Sequence, residues 1–495
     1  MPRSASDELT SLLRSERWHG ETPDEDEEQL VEFDEEDSED PKQWPLQTRY
    51  FQVLQVTLIG LLCPLASSIL APASDIVAEE FGVEKSSVIG AQSGFVHMLG
   101  FGPLFLAPCS ETFGRRPVFM TNLIIFTILQ IPTALAPNLP ALIALRTLSG
   151  LFGSVGIANG GGTISDMFPA NERATVLGFY LLGPLLGPSL GPFIGGLVVS
   201  RLDWRWVIWT VFIMSTLLTL TCYFFLHESY APMVLQRRKQ TLQDKNPDTP
   251  YRVSGASDQP TFRKIKANCS RALRILFTQP IVLIMSIYQA IIFASMYTLY
   301  STFTNIWPSP PYHFTKNQLA LTYLAPATGF TLAAAIIVPS IDRLYKHLSR
   351  TKSRDNNRGG GLPEYRLPLA SIGALLLPIS LFWFGWAVEA QTPWPLPLAS
   401  TFLFGAAQVC IFNTTQNYYI DAFEKYAASA LAAGAFLRSM FGAQIPLYVG
   451  ALFERLGYGW GFSVFGFVSV ALMPAPALFY FYGGWVRERF AVDLS

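Results

Sequence analysis

The chain has 495 residues, 50% of them hydrophobic and only 15% charged, with a mean hydropathy of +0.30. Soluble domains carry about a quarter charged residues, so an ordinary soluble enzyme is excluded and a protein embedded in a bilayer is expected. The net charge of -2 hides an asymmetry, with acids crowded into Glu21 to Asp40 and bases into two later loops; the near-neutral total says little about partners, and no nucleic acid is expected.

Residues 1–49 contain Asp24-Glu25-Asp26-Glu27-Glu28 and Asp34-Glu35-Glu36-Asp37. Such runs repel themselves and bury no apolar surface, which predicts a disordered acidic tail. The stretch lacks the basic-then-apolar order of a cleavable signal peptide. The first apolar block is expected to direct insertion.

Apolar blocks follow at 50–73, 87–107, 117–135, 139–161, 174–199 and 204–226, and again at 278–306, 318–340, 367–388, 395–419, 428–452 and 460–483. A helix needs about 20 residues, at 1.5 Å each, to cross a hydrocarbon core roughly 30 Å thick. The pattern predicts an all-α polytopic membrane protein with twelve transmembrane helices. An N-terminal six-helix bundle spans 50–226 and a C-terminal one 278–483; a basic cytoplasmic loop at 227–277 joins them, and a short cytoplasmic tail covers 484–495. On this topology 28 Lys and Arg lie on the side of both termini and 5 on the other. The positive-inside rule then places both termini in the cytoplasm.

Two six-span halves suggest a duplicated unit with a substrate site near midplane between them. After the second block comes Ala107-Pro-Cys-Ser-Glu111-Thr-Phe-Gly114-Arg115-Arg116, and after the eighth Val338-Pro-Ser-Ile-Asp342-Arg343-Leu-Tyr345-Lys346-His347. Both run small or apolar, proline, acid, base. On the cytoplasmic side such a turn can cap helix carbonyls and pair across the halves as a latch. Positive-inside topology alone explains Arg115 and Arg116 about as well.

In the fourth block Arg146 is embedded at a cost of about 2.5–3.5 kcal/mol on insertion scales, which favours a place beside water, a carbonyl or an acid and a functional role. Arg438 in the eleventh invites the same reading, with a structural ion pair as the alternative. In the fifth, Gly183, Pro184, Gly187, Pro188, Gly191, Pro192, Gly195 and Gly196 form a small-residue stripe. It lets backbones approach closely while the prolines remove helix hydrogen bonds. A static packing helix is the competing explanation.

Gln55, Tyr180, Tyr288, Tyr297, Asn413 and Asn417 are candidates to line a central cavity, together with His97, Gln130, Gln289, Tyr300, Tyr323 and Gln416. Aromatic faces with a few amides suit bulky, partly apolar ligands. Proton coupling lacks an obvious carrier: Asp75 and Glu389 fall near outer span ends, Asp166 and Asp421 near inner ones. The candidates are Arg146, Asp75 and His97. Histidine is the side chain whose unperturbed charge change falls near neutral pH, although a neutral histidine bonded between helices is the commoner case.

The cysteines show no paired spacing, and there is no P-loop, HExxH or GxSxG. An enzyme is not expected, nor a metal or cofactor.

Taken in order, these motifs resemble the major facilitator superfamily, and within it the fungal twelve-span drug:proton antiporters. Glu111 stands where that superfamily usually has Asp, and Ala107 where it often has Gly. Arg146-Thr-Leu-Ser-Gly150 is similar to the fourth-span motif, and the Gly-Pro stripe from Gly183 to Gly196 to the antiporter signature. Further similar markers are Asn159 to Asp166, Trp204-Arg205-Trp206, Glu228-Ser-Tyr-Ala-Pro232, Pro363-Glu364-Tyr-Arg366 and Tyr419-Ile-Asp421. The resemblance implies export of a small amphipathic compound by alternating access, proton antiport, and a place in the plasma membrane. Two other readings stay open. One is a facilitator or importer of an organic anion or nutrient, with Arg146 and Arg438 supplying charge; the other is a nontransporting sensor or scaffold acting through the acidic tail and the 227–277 loop.

Overall fold

The structure, a computed structural model, describes residues 29–34, 37–247, 249, 251–253, 261–356, 362–423 and 427–490. The acidic run at 24–28, Glu35, Glu36 and the end of the C-terminal tail lie outside them.

Among the described residues eleven helical runs are long and apolar enough to cross a bilayer. The last, Ala427–Arg489, holds two passes: at Gly457 the backbone turns to φ 72° and ψ 174°, a conformation open essentially to glycine alone, before the helix restarts. Glu389 caps that restart, accepting the N–H of Tyr458 at 2.8 Å and of Gly459 at 3.2 Å. The described residues therefore hold twelve passes. In order the spans are Leu46–Ser68, Lys85–Phe113, Arg115–Ala134, Leu139–Met167, Thr175–Val199, Arg205–Phe225, Pro280–Ile306, Lys316–Thr351, Pro368–Glu389, Pro395–Ala422, 427–456 and 458–489.

The bundle is inside out relative to a soluble protein. Ile128, Leu217, Ile336 and Phe481 are exposed, whereas Arg146, Ser149, Gln289 and Asn413 are fully buried. Lipid solvates the first group, and polar side chains retreat from it into the bundle.

The two halves meet along two seams. The fifth span lies on the eighth, from Thr175, whose hydroxyl donates to Asp342 at 2.5 Å, to Gly196 against Ala320. The second lies on the eleventh: Ser93 donates to the Ala443 carbonyl at 2.7 Å, and Phe101 and Phe436 meet edge to face at 5.1 Å. The central loop ends in a helix, Thr261–Thr278, whose Ala272 packs with Leu104 and Ala432 at the base of this second seam.

A separate compact unit joins part of the acidic tail to the central loop. Strand β1, Gln29–Val31, pairs in parallel with β2, Tyr251–Val253, and Leu235 of the helix Ala231–Lys245 completes a small apolar core with Val31, Tyr251 and Val253. Arg238 pairs with Asp34 at 3.6 Å and with Asp37. Disorder was expected throughout 1–49, but Leu30, Val31 and Phe33 interrupt the acids with apolar surface, and Arg238 offsets part of the charge.

Candidate functional site

Both halves carry an arginine-carboxylate network on the side of the termini. Gly114 leaves the second span at φ 95°, which lets the third begin at once with Arg115. Arg115 donates from Nε to Asp166 at 3.0 Å and from Nη1 to Ser110 at 2.6 Å. Glu228, buried, accepts the backbone N–H of Arg115 at 2.8 Å and of Arg116 at 3.1 Å. A carboxylate there satisfies two orphan donors and meets the positive end of the helix dipole.

In the second half Arg366 takes the corresponding place, donating from Nε to Asp421 at 2.8 Å and from Nη1 to Asp342 at 2.6 Å, with its guanidinium 4.1 Å from the Tyr345 ring. Burial works against this cation, but Asp421 and Asp342 more than compensate and raise its pKa above the usual arginine range. Arg343 and Lys346, the bases expected beside Asp342, are exposed.

A cavity of about 220 Å³ lies between the halves on this side. Glu111, Arg173 and Ala428 line its mouth, and Tyr180, Phe412 and Arg438 its interior. Ten residues of helix separate Ala428 from Arg438, roughly 15 Å of depth. Tyr180 is held by its hydroxyl, which donates to the Gly156 carbonyl at 2.7 Å, and its ring fills the space left by Gly160. The Arg438 guanidinium lies 5.3 Å from the Phe293 ring and 5.0 Å from that of Phe412.

On the opposite side the halves interlock. Tyr297 bonds Ser67 at 3.0 Å, Tyr300 bonds Ser189, and Lys85 reaches both Asp75, at 2.9 Å, and Asn305, at 2.6 Å. Asp75 thus sits in an exposed ion pair at the outer end. Nearer midplane, His97 donates from Nδ1 to the Ser93 carbonyl at 2.9 Å and accepts at Nε2 from the Gln444 amide, also at 2.9 Å. The imidazole thus bridges the second and eleventh spans.

Arg146 is fully buried beside the end of the first span. Its Nη2 donates to the carbonyls of Ala66 at 2.8 Å and Ser67 at 2.9 Å, and Phe95 lies under the guanidinium at 4.7 Å. These carbonyls belong to the last helical turn, where intrahelical partners run out. The fifth-span stripe packs on that same first span: a Cβ on Gly183 would lie 2.7 Å from the Thr57 carbonyl, and one on Gly187 2.7 Å from Pro64, with Gly191 and Gly195 closer still to Leu65 and Ile69. Pro192 has no N–H for the Pro188 carbonyl, which accepts instead from Ser68 at 3.0 Å. Gly196 turns to the other half. Pro184 lines the cavity.

Of the six leading cavity candidates, Tyr180 lines the cavity. Tyr297 belongs to the interlock, and Tyr288 lies 3.4 Å from the Ala374 carbonyl. Gln55 and Asn413 are buried with no protein partner for their amides among the described residues, and Asn417 donates to the Asn413 carbonyl at 2.9 Å. Gln416 lines the cavity. Glu228, just past the sixth span, and Arg366, just before the ninth, stand in motifs to which the sequence assigns no role, and only the packed bundle brings Glu228 to the start of the third span.

The Major Facilitator Superfamily model matches residues 56–445. The chain is 34% identical over 470 residues to the efflux pump radE of Floropilus chiversii, covering 94% of this chain and 86% of that protein. It is 37% identical over 448 residues to the MFS-type transporter tndD of Aspergillus flavipes, covering 90% and 83%. Among solved structures, the proton:xylose symporter XylE aligns with a TM-score of 0.64 at 16% identity, over 89% of this chain and 96% of that one. At that identity the likeness shows the fold alone.

Proposed function

The chain belongs to the major facilitator superfamily, whose members are transporters rather than enzymes, and we propose that it exports a small amphipathic organic compound across the plasma membrane in exchange for protons. The observation that carries this reading is the asymmetry of the halves: a cavity entered from the side of the termini, and tyrosine, serine and lysine contacts joining the halves on the other. With 28 of 35 bases on the side of the termini, that side is cytoplasmic and the cavity loads from the cell interior. Efflux pumps among the relatives support the outward direction.

Alternating access then requires the outer interlock to open while the cavity mouth lined by Glu111, Arg173 and Ala428 closes. His97 supplies a place for the proton. A proton added at Nε2 would set an N–H donor against the Gln444 amide donor, breaking the bridge between the second and eleventh spans unless the amide rotates. One proton moving down about 100 mV and two pH units delivers roughly 5 kcal/mol, enough for a several-thousand-fold gradient of a neutral compound.

The test is a proteoliposome screen of amphipathic compounds with and without an imposed pH gradient, alongside accumulation in cells lacking the protein. Export predicts higher accumulation in those cells and gradient-driven transport that His97→Gln uncouples while exchange of substrate persists. Lower accumulation in the deleted cells would reverse the direction. Full gradient-driven transport by His97→Gln would remove His97 from the coupling.

A further inference from the structure

Among the described residues Arg146 and Arg438 lie buried in the interior of spans, away from their ends, and they are satisfied differently. Arg146 gives one nitrogen, Nη2, to two carbonyl acceptors, while its Nε and Nη1 are unpartnered among the described residues, and it does not line the cavity. Arg438, only 5% exposed, makes no ion pair among the described residues, and its Nη1 is buried without a hydrogen-bond partner. What surrounds it is aromatic: the rings of Phe293 and Phe412, with the hydroxyl-bearing Tyr180, Tyr297 and Tyr419 nearby. It lines the cavity.

The carboxylates on that path are engaged or distant. Asp166 is held by Arg115 and Ser229. Glu111, at the mouth, lies within electrostatic reach of Arg115 and Tyr230, and Arg438 is surrounded by tyrosines instead. Cation–π contacts return about 0.5–2 kcal/mol each, less than the several kcal/mol that a buried ion loses on leaving water. A guanidinium in this position lacks an anion, and the open cavity in front of it is where one can arrive.

We propose that Arg438 is the anchor for an anionic group on the transported molecule, and that the substrate class is an aryl carboxylate whose ring packs against Phe293, Phe412 and Tyr180. The planar fork of arginine binds both oxygens of a carboxylate, which lysine cannot reproduce. The adjoining rings take the apolar body, and Gln416, also lining the cavity, offers an amide to a remaining polar group. This inference rests on the export reading for the direction of movement, but the binding chemistry is tested apart from it.

The probes are 2-naphthoate and its uncharged isostere 2-naphthamide, added to the purified full-length protein in detergent, with binding read by thermal shift and by quenching of intrinsic tryptophan fluorescence. Naphthoate should bind the wild type at least ten-fold more tightly than the amide. Arg438→Gln should abolish that preference, and Arg438→Lys should retain part of it. The ratio of the two affinities is internal to each variant, so a general loss of stability does not imitate the result. Equal binding of the two probes to the wild type, no binding of either, or a preference that survives in Arg438→Gln would overturn the proposal. Accumulation of naphthoate in cells with and without the protein reports separately on export. Retained carboxylate preference with no export would sink the direction and leave the anchor standing.

Discussion

Arg366 lies 2.8 Å from Asp421, joining the start of the ninth span to the end of the tenth as Arg115, 3.0 Å from Asp166, joins the start of the third to the end of the fourth. The two halves thus repeat an ion pair that their aligned loop motifs do not show. In the first half a single glycine separates the second span from Arg115. In the second the chain continues beyond Lys346 before returning at Pro363, so the base that meets Asp342 lies 24 residues further on.

Arg366→Gln should destabilise the protein more than Asp421→Asn does. Removing the cation leaves Asp342 and Asp421 without their shared partner, a loss of about 3 kcal/mol for a largely buried network. Removing one carboxylate leaves the other pair intact. Unfolding temperatures of the purified variants in detergent measure the difference, and equal shifts would show that the two acids do not share the guanidinium energetically.

Arg146→Ala should reduce transport at least ten-fold while leaving the protein in the membrane, because the end of the first span loses the donor that holds the Ala66 and Ser67 carbonyls. Lysine should rescue partly, since one ammonium reaches the carbonyls without the planar fork. Wild-type transport by the alanine variant, at equal surface level, would reduce Arg146 to packing.

Gly187 and Gly196 should fail in different ways. A Cβ at Gly187 meets Pro64 at 2.7 Å and the Leu65 nitrogen at 2.8 Å inside one half, whereas a Cβ at Gly196 meets Ala320 at 2.8 Å across the seam. Gly187→Leu is therefore expected to lower the yield of monodisperse protein, and Gly196→Leu to fold but exchange slowly. Size-exclusion profiles and exchange rates separate the two outcomes; normal exchange by both would show that neither contact matters.

Topology can be read from the exposed bases Arg455 and Lys346. In sealed cells an impermeant thiol reagent should label Arg455→Cys and spare Lys346→Cys, in a background with the native cysteines replaced. The reverse pattern would invert the bundle and with it the direction of loading.

Twelve spans were legible in the sequence because a bilayer demands that each crossing satisfy its own backbone over a fixed length, a local requirement written into apolar blocks and their flanking bases. The embedded Arg146 and Arg438 and the glycine stripe were legible for the same reason: charge or missing side chains are anomalous in lipid wherever they occur. Their partners were not. That Arg146 meets carbonyls rather than an acid, that Gly187 packs within a half while Gly196 packs across one, and that Asp342 is matched by Arg366 are decided by which helix faces are brought together. The open side of the cavity is likewise a property of two seams, each built from residues more than a hundred positions apart, as Thr175 and Asp342 or His97 and Gln444 are. Hydropathy reports the energy of each segment against lipid, whereas these contacts are energies of segments against one another, and only the packed bundle determines them.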